Sequence, residues 1–309
     1  MQRLDGGSAI PPHLAGGIVA LGNFDGFHLG HQAVVGRAVA QARAQGRPAL
    51  VATFDPHPVR YFRPDAAPFR LTTLDQRERL FAAAGADAMV VFAFDATLAA
   101  LSAEAFIAER LVGTLAIAGA VTGEDFTFGH AKRGNVAVLA EAGARGSFTV
   151  EAVGPVALDG EPVSSSRVRD RLRRGDMHGA ARLLTRPYTI AGRVQHGDKL
   201  GRTIGYPTAN IDMGTYLRPA YGIYAVRGLL EDGRVLAGAA NLGVRPTFDP
   251  PKELLEAYFF DFAGDLYGQG VEVELIEYLR AEAKFDTIDA LRAQMAVDCD
   301  RARGLLRGD

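Results

Sequence analysis

The 309-residue chain has a single cysteine, Cys299. That excludes a disulfide framework and a four-cysteine zinc site, and makes a reducing, cytoplasmic compartment the expected setting. No apolar run approaches the ~20 residues needed to cross a bilayer. The opening MQRLDGGSAIPPHLAGG puts proline and glycine where a signal peptide needs an apolar helix, so no secretory leader is expected. Charge of one sign is also lacking: 34 Lys and Arg face 36 Asp and Glu, a net charge of -2, which argues against a generic polyanion binder. Internal repeats and low-complexity stretches are absent. What is present is 48% hydrophobic and 23% charged residues, which excludes disordered and collagenous chains. The length suits about two domains at roughly 100–200 residues each.

Two halves follow different patterns. From residue 17 to about 184, apolar runs at 17–22, 48–54, 88–94 and 115–122 alternate with helical spacing at 31–45, 75–84 and 102–112. Near-continuous apolar strands separated by helices predict a parallel sheet covered on both faces, with ligands at the carboxyl ends of its strands. From about Pro187, short strands are expected at 188–195, 221–230, 235–242, 254–261 and 271–280, with a hairpin turn at Glu231-Asp232-Gly233-Arg234. In the last strand, Val271, Val273 and Leu275 alternate with Glu272 and Glu274, so one face is wet. Such strands predict an antiparallel barrel or sandwich. A final helix carries Ile288, Leu291, Met295, Cys299, Ala302 and Leu305 at spacings of three and four, after a cap at Asp286 or Thr287. Residues 1–186 carry 20 basic and 18 acidic groups, and residues 187–309 carry 14 and 18. Thr185-Arg186-Pro187 is the expected joint, since a residue before proline leaves the helical region.

The first strand runs into Gly22-Asn23-Phe24-Asp25-Gly26-Phe27-His28-Leu29-Gly30-His31, which opens the first helix. Glycines between a strand and a helix N-terminus suit phosphate, because free N–H groups and the positive helix end face the anion. His28 and His31, three apart, share one side of the first turn. Surface histidines and zinc ligands are the alternatives; zinc lacks a third Cys or Glu at helical spacing. His28-x-Gly30-His31 resembles the HxGH signature of the nucleotidylyltransferase superfamily. Val163-Ser164-Ser165-Ser166-Arg167-Val168-Arg169 resembles its second signature, ISSTxIR, with Ser166 in place of Thr and valines in place of Ile. Hydroxyls at a helix start with an arginine can hold phosphates. Arg171, Arg173 and Arg174 continue the run and read as a solvated face.

With Thr53-Phe54-Asp55-Pro56-His57-Pro58 and the segment Gly123 to Gly134, the first half resembles the prokaryotic bifunctional riboflavin kinase/FMN adenylyltransferase (FAD synthetase) family. That resemblance implies a Rossmann-like nucleotidylyltransferase domain with a parallel α/β sheet. It assigns Gly22, Asn23, Phe24, Asp25, Gly30, Ser164, Ser165, Ser166, Arg167 and Arg169 to the nucleotide. Phe54, Asp55, Asp125, Phe126 and Phe128 fall to the flavin, although core packing is as good a reading for each phenylalanine.

In the second half, Gly201-Arg202-Thr203-Ile204-Gly205-Tyr206-Pro207-Thr208-Ala209-Asn210 resembles the PTAN segment of riboflavin kinases, with Tyr206 where Phe is usual. It is not a Walker loop, because no Lys-Ser/Thr follows the glycines. Thr208 and Asn210 would point the same way on a strand, and paired hard oxygens suit Mg²⁺ carried with ATP. The segments 241–248 and 261–268 resemble two further parts of that family. In Leu255-Glu256-Ala257-Tyr258, Glu256 matches the family's base and Tyr258 replaces the usual His. The resemblance spans nearly the whole chain. It implies a 1–186 FMN adenylyltransferase domain with His28 and His31 as charge stabilisers. It further implies a 187–309 riboflavin kinase domain, an antiparallel β-barrel with a C-terminal helix. Glu256 would be catalytic there, Thr208 and Asn210 metal and nucleotide ligands, Gly201 and Gly205 nucleotide contacts, and Arg245 a flavin contact. Riboflavin, FMN, FAD and ATP are the implied partners, with Mg²⁺ accompanying ATP and no tightly bound prosthetic group. Two other readings are a single-activity nucleotidylyltransferase with a non-catalytic barrel, and a nucleic-acid-binding barrel. The second half's net negative charge disfavours the latter.

Overall fold

The computed structural model of the chain describes residues 1–146, 148–196, 205–245 and 252–307. Packing divides it into two compact units, Met1–Ala67 with Thr73–Ser164, and Pro68–Thr72 with Ser165–Asp309.

The first unit holds six strands: β1 (Gln2–Asp5), β2 (Ile18–Leu21), β3 (Ala49–Asp55), β4 (Ala88–Ala93), β5 (Gly119–Gly123) and β6 (Thr149–Val153). Their order is β1-β4-β3-β2-β5-β6 and every pair is parallel. The central strands are apolar throughout because both faces are covered, and β2 is buried along its whole length. On one face, helix α1 (Leu29–Ala44) packs Val34, Val35, Ala38 and Ala42 beside Phe81 of helix α3 (Leu74–Ala83). On the other lie Phe106, Leu111 and Leu139. They come from the π-helix Phe106–Thr114, which continues α5 (Ala103–Ala105), and from α6 (Val136–Gly146). Two short helices, α2 (Pro58–Phe62) and α4 (Ala96–Ala100), and the small hairpin β7 (Ala157–Leu158) and β8 (Glu161–Pro162) complete the unit.

Two local expectations change. The wide π turns carry the third helix to Thr114, so the next strand begins at Gly119 and not at 115, while Leu115 and Ile117 stay buried in the connection. The edge strand β1 was not anticipated, since Gln2, Arg3 and Asp5 interrupt any apolar run. From β2 the chain first adds β3 and β4 on one side, then crosses to place β5 on the other. The crevice at the carboxyl ends of β2 and β5 is thus the topological switch point, where open α/β sheets bind ligands.

The second unit is a closed barrel of β9 (Tyr188–Gln195), β10 (Ala209–Asp212), β11 (Gly222–Leu230), β12 (Val235–Arg245), β13 (Lys252–Phe259) and β14 (Gly270–Arg280), ordered β10-β13-β12-β11-β14-β9. All its pairs are antiparallel, and closure removes exposed edges. Val271, Val273 and Leu275 face inward as the alternation predicts. Helices α7 (Ser165–Arg173) and α8 (Met177–Leu184) group with the barrel, because α8 lays its buried Ala180, Leu183 and Leu184 on the side of β9 and β14. The segment 68–72 joins the same unit: Arg70 N–H donates to Thr215 O at 3.2 Å, and Leu217 N–H to Arg70 O at 2.8 Å.

Helix α9 (Ile288–Leu306) is capped by Thr287, whose Oγ1 accepts from Ala290 N–H at 3.1 Å. Its expected apolar face is only partly used. Cys299 and Ala302 are buried, but Ile288 is 60% and Leu305 41% exposed. Asp298 turns inward instead, to bind Arg280 through two guanidinium nitrogens at 2.6–3.1 Å. Thr287→Ala should cost about 1 kcal/mol, the usual worth of an N-cap. A lowered thermal midpoint with the folded structure retained at 25 °C is the expected result.

Candidate functional site

At the switch point the first unit ends β2 in a tight turn and opens α1. His28 is the N-cap of α1 and only 5% exposed; its Nδ1 accepts from His31 N–H at 3.4 Å. With Nδ1 accepting, the neutral ring carries its proton on Nε2, which makes it a donor at a helix N-terminus. The rings of His28 and His31 stack at 3.6 Å between centroids, 20° from parallel. Gly30 lies against them: a Cβ there would stand 3.3 Å from His28 Cε1. The two histidines are therefore a packed pair, distinct from two scattered surface residues.

Their support comes from beneath. Phe24, expected to contact nucleotide, is 2% exposed and belongs to the apolar cluster under the loop, edge-on to His31 at 5.3 Å and to Phe81 at 5.7 Å. It backs the histidine without offering a free ring face. Asn23 is held by its carbonyl, which accepts from Thr53 Oγ1 at 2.9 Å and Arg77 Nη1 at 3.1 Å. Its side-chain Oδ1 is buried without a hydrogen-bond partner. Arg77, 2% exposed, also donates to Thr53 Oγ1 at 2.9 Å and lies 4.0 Å from Asp55. It ties the ends of β2 and β3 together. No sequence signal marked it, since it lies on a helix far along the chain.

Of the expected flavin contacts, Phe54 and Phe128 are 7% exposed and packed in the core with Phe92 and Phe106. Phe126 is half-buried and stacks on Phe128 at 5.6 Å, forming the lip of this aromatic group. Asp55 closes β3, and Asp125 is exposed in the turn after β5. Ser164 ends the first unit, whereas Ser165, Ser166, Arg167 and Arg169 open α7 in the second. Arg169 Nε donates to Phe69 O at 2.8 Å, and its guanidinium lies over the Phe69 ring.

In the barrel, β10 starts at Ala209, so Thr208 stands just ahead of the strand and Asn210 within it. Asn210 is 5% exposed and is the direct cross-strand partner of Glu256. Glu256 in turn faces Asn241 across the β13–β12 pair. One row of the barrel's outer face therefore reads Asn210, Glu256, Asn241, with neighbouring Cβ atoms about 4.5–5.5 Å apart. Asn241 opens the segment 241–248 noted in the sequence but was given no role there, because only strand register sets it beside Glu256. Thr208 lines a cleft with Pro207, Phe262, Asp265 and Tyr267.

Tyr206 and Tyr258, two departures from the usual family pattern, meet edge-on at 5.1 Å, and burial raises the Tyr258 phenol above its ordinary range. Burial likewise pushes the Cys299 thiol up to about 11, which makes it a packing group and no nucleophile. Gly205 occupies a left-handed turn at φ +89°. Gly201 and the Arg245 side chain lie outside the described residues, as do residues 246–248. Among the described residues no cluster of three or more His, Cys, Asp or Glu is placed to hold a metal alone.

A family model described as FAD synthetase matches residues 10–167, and one described as riboflavin kinase matches residues 184–306. Bifunctional riboflavin kinase/FMN adenylyltransferase of Haemophilus influenzae is 41% identical over 290 residues, covering 94% of each chain. That of Pseudomonas fluorescens is 40% identical over 306 residues, covering 99% of this chain and 98% of its own. That of Bacillus subtilis is 37% identical, covering 94% and 95%. A solved structure described as a macrolide-efflux protein from Streptococcus pneumoniae has a TM-score of 0.84 at 31% identity and covers 96% of this chain and 97% of that one. Among the described residues no helix of this chain is long and apolar enough to cross a membrane.

Proposed function

The chain belongs to the bifunctional riboflavin kinase/FMN adenylyltransferase family, and from that premise we propose how its residues divide the work. Residues 1–186 carry adenylyl transfer and residues 187–309 carry phosphoryl transfer. The observation that carries the second assignment is the direct pairing of Asn210 with Glu256 beside Thr208. The riboflavin kinase match over residues 184–306 disfavours a non-catalytic barrel.

In the barrel, Glu256 accepts the proton of the riboflavin 5′-hydroxyl as its oxygen attacks the γ-phosphorus of ATP and ADP leaves. Thr208 and Asn210 offer neutral hard oxygens, a donor set that fits Mg²⁺ arriving with nucleotide, since that ion keeps waters and phosphate oxygens as its other ligands. When bound, Mg²⁺ supplies neutralisation of the charge developing on the transferred phosphate. Asn210→Ala should therefore weaken Mg-nucleotide binding, read by calorimetry. Unaltered nucleotide affinity would remove Asn210 from that role.

In the first unit, an FMN phosphate oxygen attacks the α-phosphorus of a second ATP and pyrophosphate leaves. No protein nucleophile is needed. His28 donates from Nε2 beside the α1 N-terminus, where charge accumulates on the reacting phosphates, and the stacked His31 adds a second imidazole there. Gly22, Asn23 and Gly30 allow the close approach. The single buried thiol accords with a reducing, cytoplasmic setting.

Incubating the whole protein with riboflavin and MgATP and separating the flavins tests the assignment. FMN should appear first and FAD follow. FAD formed only from supplied FMN would reduce the activity to adenylyl transfer alone.

A further inference from the structure

We propose that Asn241 sets substrate specificity in the barrel site by accepting a hydrogen bond from a hydroxyl of the flavin's polyol chain. The inference rests on the kinase reading above and gives a role to Asn241, the first residue of the segment 241–248, which the resemblance left unassigned.

Three observations converge on Asn241. It stands directly opposite Glu256 in the β12–β13 register, so its side chain emerges on the face that carries the general base and Asn210. Its Nδ2 donates to Glu282 Oε1 at 3.3 Å. A carboxylate only accepts, so this contact fixes which end of the amide is which and leaves Oδ1 as the end turned away from Glu282. Gly243, two residues along on the same face, makes room for that arrangement, because a Cβ there would overlap the Glu282 carboxylate. Finally, Asn241 Oδ1 is buried without a hydrogen-bond partner.

A buried acceptor left empty is costly, so a donor is expected to fill it when the site is loaded. Glu256 cannot be that donor while ionised. The group that must approach Glu256 is a hydroxyl on a chain of hydroxyls. The terminal one gives its proton to Glu256, and a neighbour on the same chain can donate to Asn241. Such a site rejects an analogue that lacks the hydroxyl, because the protein acceptor then stays unpaired.

The test compares the full-length wild type with Asn241→Leu on two acceptors. One is riboflavin; the other is a flavin whose N10 substituent is a 5-hydroxypentyl chain, with the terminal hydroxyl alone. For riboflavin the variant should lose about 10- to 100-fold in kcat/KM for phosphorylation, the range expected when one buried hydrogen bond is removed. For the hydroxypentyl flavin it should lose little, so the wild-type preference for riboflavin collapses. Glu282→Gln, which frees the amide to turn, should show the same selective pattern at smaller size. Circular dichroism and the thermal midpoint of the same samples report that the barrel is folded. Equal losses on both acceptors, or no loss, overturn the proposal. So does weakened Mg-nucleotide affinity in Asn241→Leu, which would make Asn241 a ligand of the nucleotide complex. If the wild type fails to phosphorylate riboflavin at all, the kinase reading falls and takes this proposal with it; if only the variant pattern fails, the kinase reading stands.

Discussion

Glu256→Gln should lower FMN formation by about 10²–10⁴, the usual worth of a general base, while leaving Mg-nucleotide affinity close to wild type. Glutamine keeps the size and the strand position of Glu256 between Asn210 and Asn241. What it removes is the proton acceptor. Asn210 and Thr208 remain, so nucleotide should still bind, and the loss should fall on turnover. FAD formation from supplied FMN should be unchanged, because it draws on His28 and His31 in the other compact unit. Single-turnover kinetics beside calorimetry separate the two effects. Wild-type turnover of riboflavin by the variant would make Glu256 an ordinary strand residue and send the search for the base elsewhere.

His28→Ala should reduce FAD formation by about 10²–10³, by analogy with loss of one preorganised donor to a developing oxyanion, and spare FMN formation. Alanine also removes a helix cap, since His28 Nδ1 accepts the His31 N–H. His28→Asn separates the two roles. Asparagine is a good N-cap, so it restores the start of α1 without placing an imidazole Nε2 at the site. If the histidine acts on the reacting phosphates, the asparagine variant should be stable yet still slow. If asparagine recovers wild-type FAD formation, His28 serves only to cap the helix. Equal loss of both activities in a folded variant would count against two separate sites.

Much of this was legible in the sequence because it is local. Apolar runs and 3.6-residue spacing reveal β2, α1, β3 and β4, and strict alternation reveals the inward face of β14. The glycines and histidines of 22–31 already imply a turn into a helix start, and the structure adds that the rings stack. What stayed hidden depends on residues far apart in the chain. Asn241 becomes a neighbour of Glu256 only through antiparallel register. Arg77 reads as a charge on an amphipathic helix until β2 and β3 bring Asn23 and Thr53 to it. The phenylalanines divide by depth, Phe54 and Phe128 inside and Phe126 at the lip, and composition cannot order them. On α9 only the ends of the expected stripe differ, with Ile288 and Leu305 exposed, because Asp298 shares the buried side with Cys299 and Ala302 and pairs with Arg280 there.

Residues 68–72 group with the barrel while the residues on both sides of them group with the sheet. The polypeptide thus changes unit three times, after residues 67, 72 and 164. No single scissile point yields both units whole. A fragment starting at residue 165 would expose the Thr215 carbonyl and the Leu217 amide that Arg70 otherwise occupies. Anyone transplanting the kinase barrel onto another carrier would have to supply that five-residue thread too, as an added peptide or by rewiring the order of the gene.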